Sequence, residues 1–194
     1  MKKLLISLSL ASSALIPAAV QAQAVPPAIV AVVDLDRVTR ECNACKTAAA
    51  ALQAQVTAQE SREKTLVAPL QTEQQSLQAA VNALNGKEPD AALQARAKAF
   101  QTRYQAAQEQ AARGRQQIQA NQQYVQKQIA DKLGPIYAQV MQRRGANIMV
   151  EQGSTLATAR SVDVTNDITA ALNTALPTIQ TSAPAAPANT QQGR

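Results

Sequence analysis

The chain has 194 residues, 46% of them apolar but only 2% aromatic, with no His and no Trp, and 19 basic residues against 13 acidic ones give a net charge of +6. Without His there is no Ser/His or Cys/His nucleophilic pair, and no paired-carboxylate or phosphate-loop arrangement occurs, so nothing points to an enzyme. Two cysteines are too few for a structural zinc site within one chain, and neither a metal nor another cofactor is expected.

Met1-Lys2-Lys3 is a basic start, Leu4 to Ile16 an apolar stretch and Pro17 to Ala24 a small-residue region. The pattern is that of a secretory signal peptide over residues 1–22, with cleavage after Ala22 or Ala24. It is too short to span a bilayer, and no cysteine sits at the cleavage region to make a lipoprotein. Export to the periplasm of a two-membraned bacterium is the expectation. Losing Lys2 and Lys3 would lower the basic count from 19 to 17 against 13 acids, a net +4.

After Pro26-Pro27, Ala28 to Leu35 is a nearly unbroken β-branched run that reads as a buried strand. Helical spacing begins at Asp36-Arg37, with Leu35, Val38, Cys42 and Cys45 on one face, so the strand is expected to feed a long helix directly. Cys42-Asn43-Ala44-Cys45 is a C-x-x-C motif. Its readings are a disulfide within or between chains, two packed thiols, or redox or metal chemistry. The redox reading requires a βαβ unit, and the second half of that unit is missing.

From Cys42 to about Leu133 a coiled-coil rhythm dominates. The seam runs Leu52, Val56, Gln59, Glu63, Leu66, Leu70, Glu73, Leu77, Ala80, Leu84, at an interval of about 3.5 residues. Asn85 to Asp90 is a turn, with Gly86 suited to a helix end and Pro89 to a helix start. Leu93, Ala97, Phe100, Tyr104, Ala107 and Ala111 resume the seam, which weakens through Gly114, Ile118, Asn121 and Val125. Arms of a little over forty residues would each extend roughly 60–65 Å and pack antiparallel. Pro69 predicts a kink near Thr65–Pro69, and Gly134-Pro135 predicts an end or bend of the second arm. That arm is basic: Arg96, Lys98, Arg103, Arg113, Arg115, Lys127 and Lys132 stand against only Glu109 and Asp131. Acidic clients or anionic lipid suit such a surface, as does a merely solvated helix face. Export and the absence of aromatics interleaved for base stacking argue against nucleic acid.

Ile136, Tyr137, Val140 and Met141 make one more apolar helical face. Asn147 to Glu151 reads as a strand, Thr155 to Ala159 as a strand paired with it, and Asp163 to Leu176 as an amphipathic helix capped by Asp163. The Ala/Pro/Thr/Gln tail, residues 177–194, is expected to be disordered. The plan is therefore α+β, mainly α. A small body (residues 28–41 and 145–176) carries a helical hairpin arm (residues 42–144). A body this small buries too little to stand alone, so subunits are expected to pool their strands through Ile29, Val30, Val32, Leu35, Ile148, Val150, Ile168 and Leu172.

The order strand (Ile29 to Leu35), long hairpin, strand (Ile148 to Val150) and closing Ser161 to Leu172 resembles the Skp/OmpH family of periplasmic chaperones. Asp167-Ile168-Thr169-Ala170 is the most specific part of the likeness. The resemblance implies a homotrimer of "jellyfish" architecture, with three hairpins around a cavity below a β-barrel-like body. It further implies ATP-independent holding of unfolded outer-membrane proteins and their delivery to the outer-membrane insertion machinery. Candidate client contacts near the arm tips are Leu84, Leu93, Arg96, Phe100, Arg103 and Tyr104. The competing readings are a structural adaptor of the envelope without client holding, and a thiol oxidoreductase centred on Cys42 and Cys45.

Overall fold

The structure, a computed structural model, describes residues 25–184. The expected signal peptide and residues 185–194 of the tail lie outside that range. The chain is mainly helical with a small two-stranded sheet. Strand β1 (Val30–Val33) is followed by helices α1 (Leu35–Glu41), α2 (Asn43–Ala83) and α3 (Ala91–Arg144), strand β2 (Ile148–Glu151) and helix α4 (Thr165–Ala175).

The first strand is shorter than its apolar run. Asp34 turns the chain, its Oδ1 accepting a hydrogen bond from Arg37 N at 2.7 Å, and so caps α1. Leu35, expected in the strand, is consequently the first residue of that helix. The rhythm from Asp36 into the arm is also interrupted. Cys42 has extended backbone (φ −62°, ψ 121°), ending α1 and capping α2 with its sulfur, which accepts from Cys45 N at 3.2 Å. Asn173 Oδ1 on α4 takes up the neighbouring Asn43 N–H at 2.8 Å. Two helices meeting at an angle thus replace one continuous helix, because the break is satisfied on both sides.

The two long helices pack side by side, with contacts in reversed order: Glu73 meets Arg96, Glu63 meets Arg115, and Gln55 meets Asn121. Every seam position named in α2 is at least partly buried, whereas Ala97 and Tyr104 of α3 are exposed. Asn85 and Gly86 take positive φ (47° and 85°) in the connection, and Asp90 rather than Pro89 begins α3, its Oδ1 accepting from Leu93 N at 2.8 Å. Neither proline ends a helix. Pro69 lies inside α2 and Pro135 inside α3, which at 54 residues runs about 80 Å. Past Gly134, Ile136 and Val140 are buried in the core together with Leu133. That packing outweighs the hydrogen bond Pro135 cannot make.

The core joins Ala31 and Val33 of β1, Val38 of α1, Cys42, Ala44 and Cys45, the last turns of α3, and Val164, Ile168, Leu172 and Leu176 around α4. It therefore draws on both ends of the segment expected to be arm. Ile168, Leu172, Val38 and Val140 are fully buried, each contributing about 1.5–3 kcal/mol by leaving water. The strands are parallel, Val30 beside Ile148 and Val33 beside Glu151. On the other edge of β1, Val164 N–H donates to Val32 O at 2.8 Å. Thr155 to Ala159 forms no strand; Leu156 is fully exposed, so this stretch has only one large apolar residue and buries nothing with it.

The tail departs most from expectation. Residues 177–184 lie against the helices, and Ile179 packs on the core.

Candidate functional site

Two surfaces combine exposed apolar groups with a defined frame. The first is the flank of the paired helices. Leu66, Val67, Leu70, Tyr104, Ala107 and Ala111 line a groove between the two long helices. Glu63 and Arg115 border it, joined at 2.8 Å. Val67 and Tyr104 are 43% and 46% exposed, and Val81, nearer the turn, is 48% exposed. Val67 and Val81 were not among the sequence candidates. Their signal was a large apolar residue off the seam, on a face otherwise of Ala, Gln and Ser.

The tip candidates fall into two kinds. Leu84, Leu93 and Phe100 are half-buried against the seam. Phe100 and Tyr104 lie with ring centroids 6.0 Å apart, Tyr104 the more exposed of the two. Arg96 and Arg103 converge on one carboxylate, Glu73 Oε1, at 3.1 and 3.9 Å. Arg113 pairs with Glu109 and Lys127 with Asp131. Five of the seven basic residues named on α3 thus meet an acid on α2 or on α3 itself, two of them sharing Glu73. Exposed pairs of this kind are worth at most about 1 kcal/mol each, but they lower the field an acidic ligand would meet.

The second surface is the sheet. Ile29, Val30 and Ile148 are 51%, 38% and 43% exposed, and Val30 and Ile148 are partners in the register. Among the described residues no strand pairs with the outer edge of β2. Val32, Ile168 and Leu172 are buried within the chain, while Leu35 and Val150 are half-buried. The eight residues expected to join subunits therefore separate into buried or half-buried positions and an exposed apolar patch of Ile29, Val30 and Ile148 at one end of the sheet.

The chain ties this base together with a polar clamp. Arg37 Nη2 of α1 lies 3.2 Å from Asp163 Oδ2, and Asp163 Oδ1 accepts from Thr165 N at 2.9 Å. Burial pushes the Asp163 carboxyl up, but the Thr165 hydrogen bonds and the Arg37 charge outweigh it and hold it below its ordinary value. Asp163 caps α4 as expected, one position ahead of the formal cap Val164.

Cys42 and Cys45 are joined to each other by a disulfide at the start of α2. A helix N-terminus is where a reactive pair would sit, yet the two residues are 0% and 6% exposed and belong to the core. A substrate thiol cannot reach them in this conformation. Among the described residues no group of His, Cys, Asp and Glu could hold a metal ion, and no helix is long and apolar enough to cross a membrane.

Similarity to known proteins runs the length of this architecture. No curated protein matches the sequence. The crystal structure of a candidate outer membrane chaperone, OmpH-like, from Caulobacter crescentus superposes with a TM-score of 0.65 at 18% identity, covering 82% of this chain and 94% of that one. The model of the family described as outer membrane protein (OmpH-like) matches residues 29–172, from the first strand into the last helix. The chain belongs to that OmpH-like family.

Proposed function

We propose that this protein is an ATP-independent periplasmic holdase that keeps unfolded outer-membrane proteins from aggregating. In this reading α2 and α3 form an antiparallel hairpin arm, and three chains join through their sheets so that the arms surround a cavity. The observation that carries the reading is the pairing of two exposed apolar features in one chain. Val30 and Ile148, exposed side by side at the first residues of the two strands, ask for a second copy. Val67, Val81 and Tyr104 along the arm offer weak apolar contact, which suits a client that must later be released. The likeness to the Caulobacter chaperone agrees with this use of the fold.

Holding by confinement needs many weak contacts rather than one tight site. The groove lined by Leu66, Val67 and Leu70 and the half-buried Leu84, Leu93 and Phe100 fit that need. With five of the seven basic residues named on α3 paired, capture rests on apolar contact more than on charge. Delivery to the insertion machinery and contact with anionic lipid belong to the same proposal.

The test dilutes an outer-membrane protein from urea into buffer containing the purified chain. Light scattering of the client should be suppressed at a few-fold molar excess; scattering that rises as without the protein refutes the holdase. Crosslinking in cells separates the adaptor reading, since varied barrel proteins are expected and a single stoichiometric band would favour an adaptor.

A further inference from the structure

The tail is held by its main chain. Gln180 N–H donates to Gln128 Oε1 at 3.0 Å, and Gln128 Nε2 donates back to Gln180 O at 2.8 Å. Gln55 Nε2, across on α2, donates to Thr181 O at 3.1 Å. Ala183 N–H donates to Asn121 Oδ1 at 2.8 Å. Three side-chain amides on two helices therefore engage four main-chain groups, and none of these bonds uses a tail side chain.

The segment they engage forms no helix, and the chain bends at Ser182. Burial alternates along it, with Ile179, Thr181 and Ala183 turned inward and Gln180, Ser182 and Pro184 outward, the period of a strand. Ala44, Thr47, Ala48 and Ala51 of α2 line the groove beside it, small enough for a backbone to come close. The amides are also held without the tail: Asn121 Nδ2 donates to Gln55 Oε1 at 2.7 Å, and Gln117 Nε2 donates to Asn121 Oδ1 at 2.9 Å. Removing the tail would leave this row of donors and acceptors in place.

We infer that the groove between α2 and α3 beside the core is a binding site for extended polypeptide, occupied in the resting protein by residues 177–184. Its ligand class is an unfolded segment with free main-chain N–H and C=O groups and small or β-branched side chains at alternate positions. Recognition through the main chain tolerates many sequences. The tail, being tethered, competes at high effective concentration and sets the threshold a ligand must exceed. The inference stands on the tail contacts and not on the holdase reading.

The probe is a fluorescent peptide of tail length but unrelated sequence, alternating Val and Ser, alongside the same peptide N-methylated at two central amides. Fluorescence anisotropy compares the full chain with its Gln180→Pro/Ala183→Pro variant, whose tail has lost the two N–H donors. The plain peptide should bind the variant roughly tenfold or more tightly than the unaltered chain. N-methylation, or Gln128→Leu added to the variant, should remove that gain. Equal affinity for both chains would make the tail a structural strap only, and undiminished binding of the N-methylated peptide would rule out main-chain recognition; either overturns the inference. Should the variant melt early, hydrogen exchange on the unaltered chain decides. Excess peptide should speed exchange at the Gln180 and Ala183 amides, and unchanged exchange overturns the proposal. No outer-membrane protein enters either measurement, so failure here leaves the aggregation assay untouched.

Discussion

At the scale of single residues, two groups in the base make separate predictions. Asp163 is held ionised below its ordinary range, so its contribution to stability is complete above that range and is lost as pH falls through the depressed value. Thermal melts between pH 5 and 2 should show the unaltered chain losing stability at the acid end. Asp163→Asn should begin less stable at neutral pH and lose less on acidification; parallel curves would remove Asp163 as the cause. The second group is the disulfide. Closing a loop of four residues restrains the unfolded chain by about 2 kcal/mol, so Cys42→Ser/Cys45→Ser should lower the midpoint of denaturation by that order. Anti-aggregation activity at a temperature where the variant is folded should persist, which an oxidoreductase would not allow. Spacing alone left several fates open for this motif; burial at the junction of α1, α2 and α3 is a fact of packing that no spacing contains.

At the scale of elements, core and groove respond differently to the same kind of truncation. Ile168→Ala empties a fully buried position on α4 and should cost about 2–5 kcal/mol in chemical denaturation. Val67→Ala on the exposed flank of α2 should change stability by about 0.5 kcal/mol or less, yet reduce the suppression of client scattering. If Val67→Ala leaves suppression intact at limiting protein, the flank groove is not a client contact. The long helices were legible because a seam repeating about every 3.5 residues has one solution, and the buried Leu70, Leu77, Ala107 and Val125 lie on it. The turn between them was legible too, but the run of α3 past Gly134-Pro135 was not. Gly134-Pro135 carries strong local breaking chemistry, but Leu133, Ile136 and Val140 bury against the core, and tertiary packing prevails over a local preference. Asp34 was hidden inside an apolar run, although an Asp three residues before a favourable helical N–H is a readable cap.

At the scale of the whole molecule, the base is covered only in part. Val30→Glu/Ile148→Glu places charge on the exposed apolar patch of the sheet and leaves Val32, Ile168 and Leu172 untouched. Mass measured by light scattering should fall from an oligomer to a single chain, with the helical signal retained. A particle mass that does not respond to the change would locate the interface elsewhere. The expected basic arm also altered at this scale. Arg96, Arg103 and Arg115 looked unanswered when α3 was read by itself, because Glu73 and Glu63 approach them only after the chain folds back.

The sequence by itself determined the rhythm of the long helices, strands around Val30–Val33 and Ile148–Glu151 (alongside a third at Thr155 to Ala159 that does not form) and the amphipathic last helix. Each depends on periodic burial of neighbours close along the chain, and that periodicity is written in the residues. Tertiary structure alone decided which helix ends join the core, which charges meet, and where the tail goes. Those outcomes depend on groups distant in sequence, such as Gln128 meeting Gln180 and Arg37 meeting Asp163, whose approach no local pattern encodes.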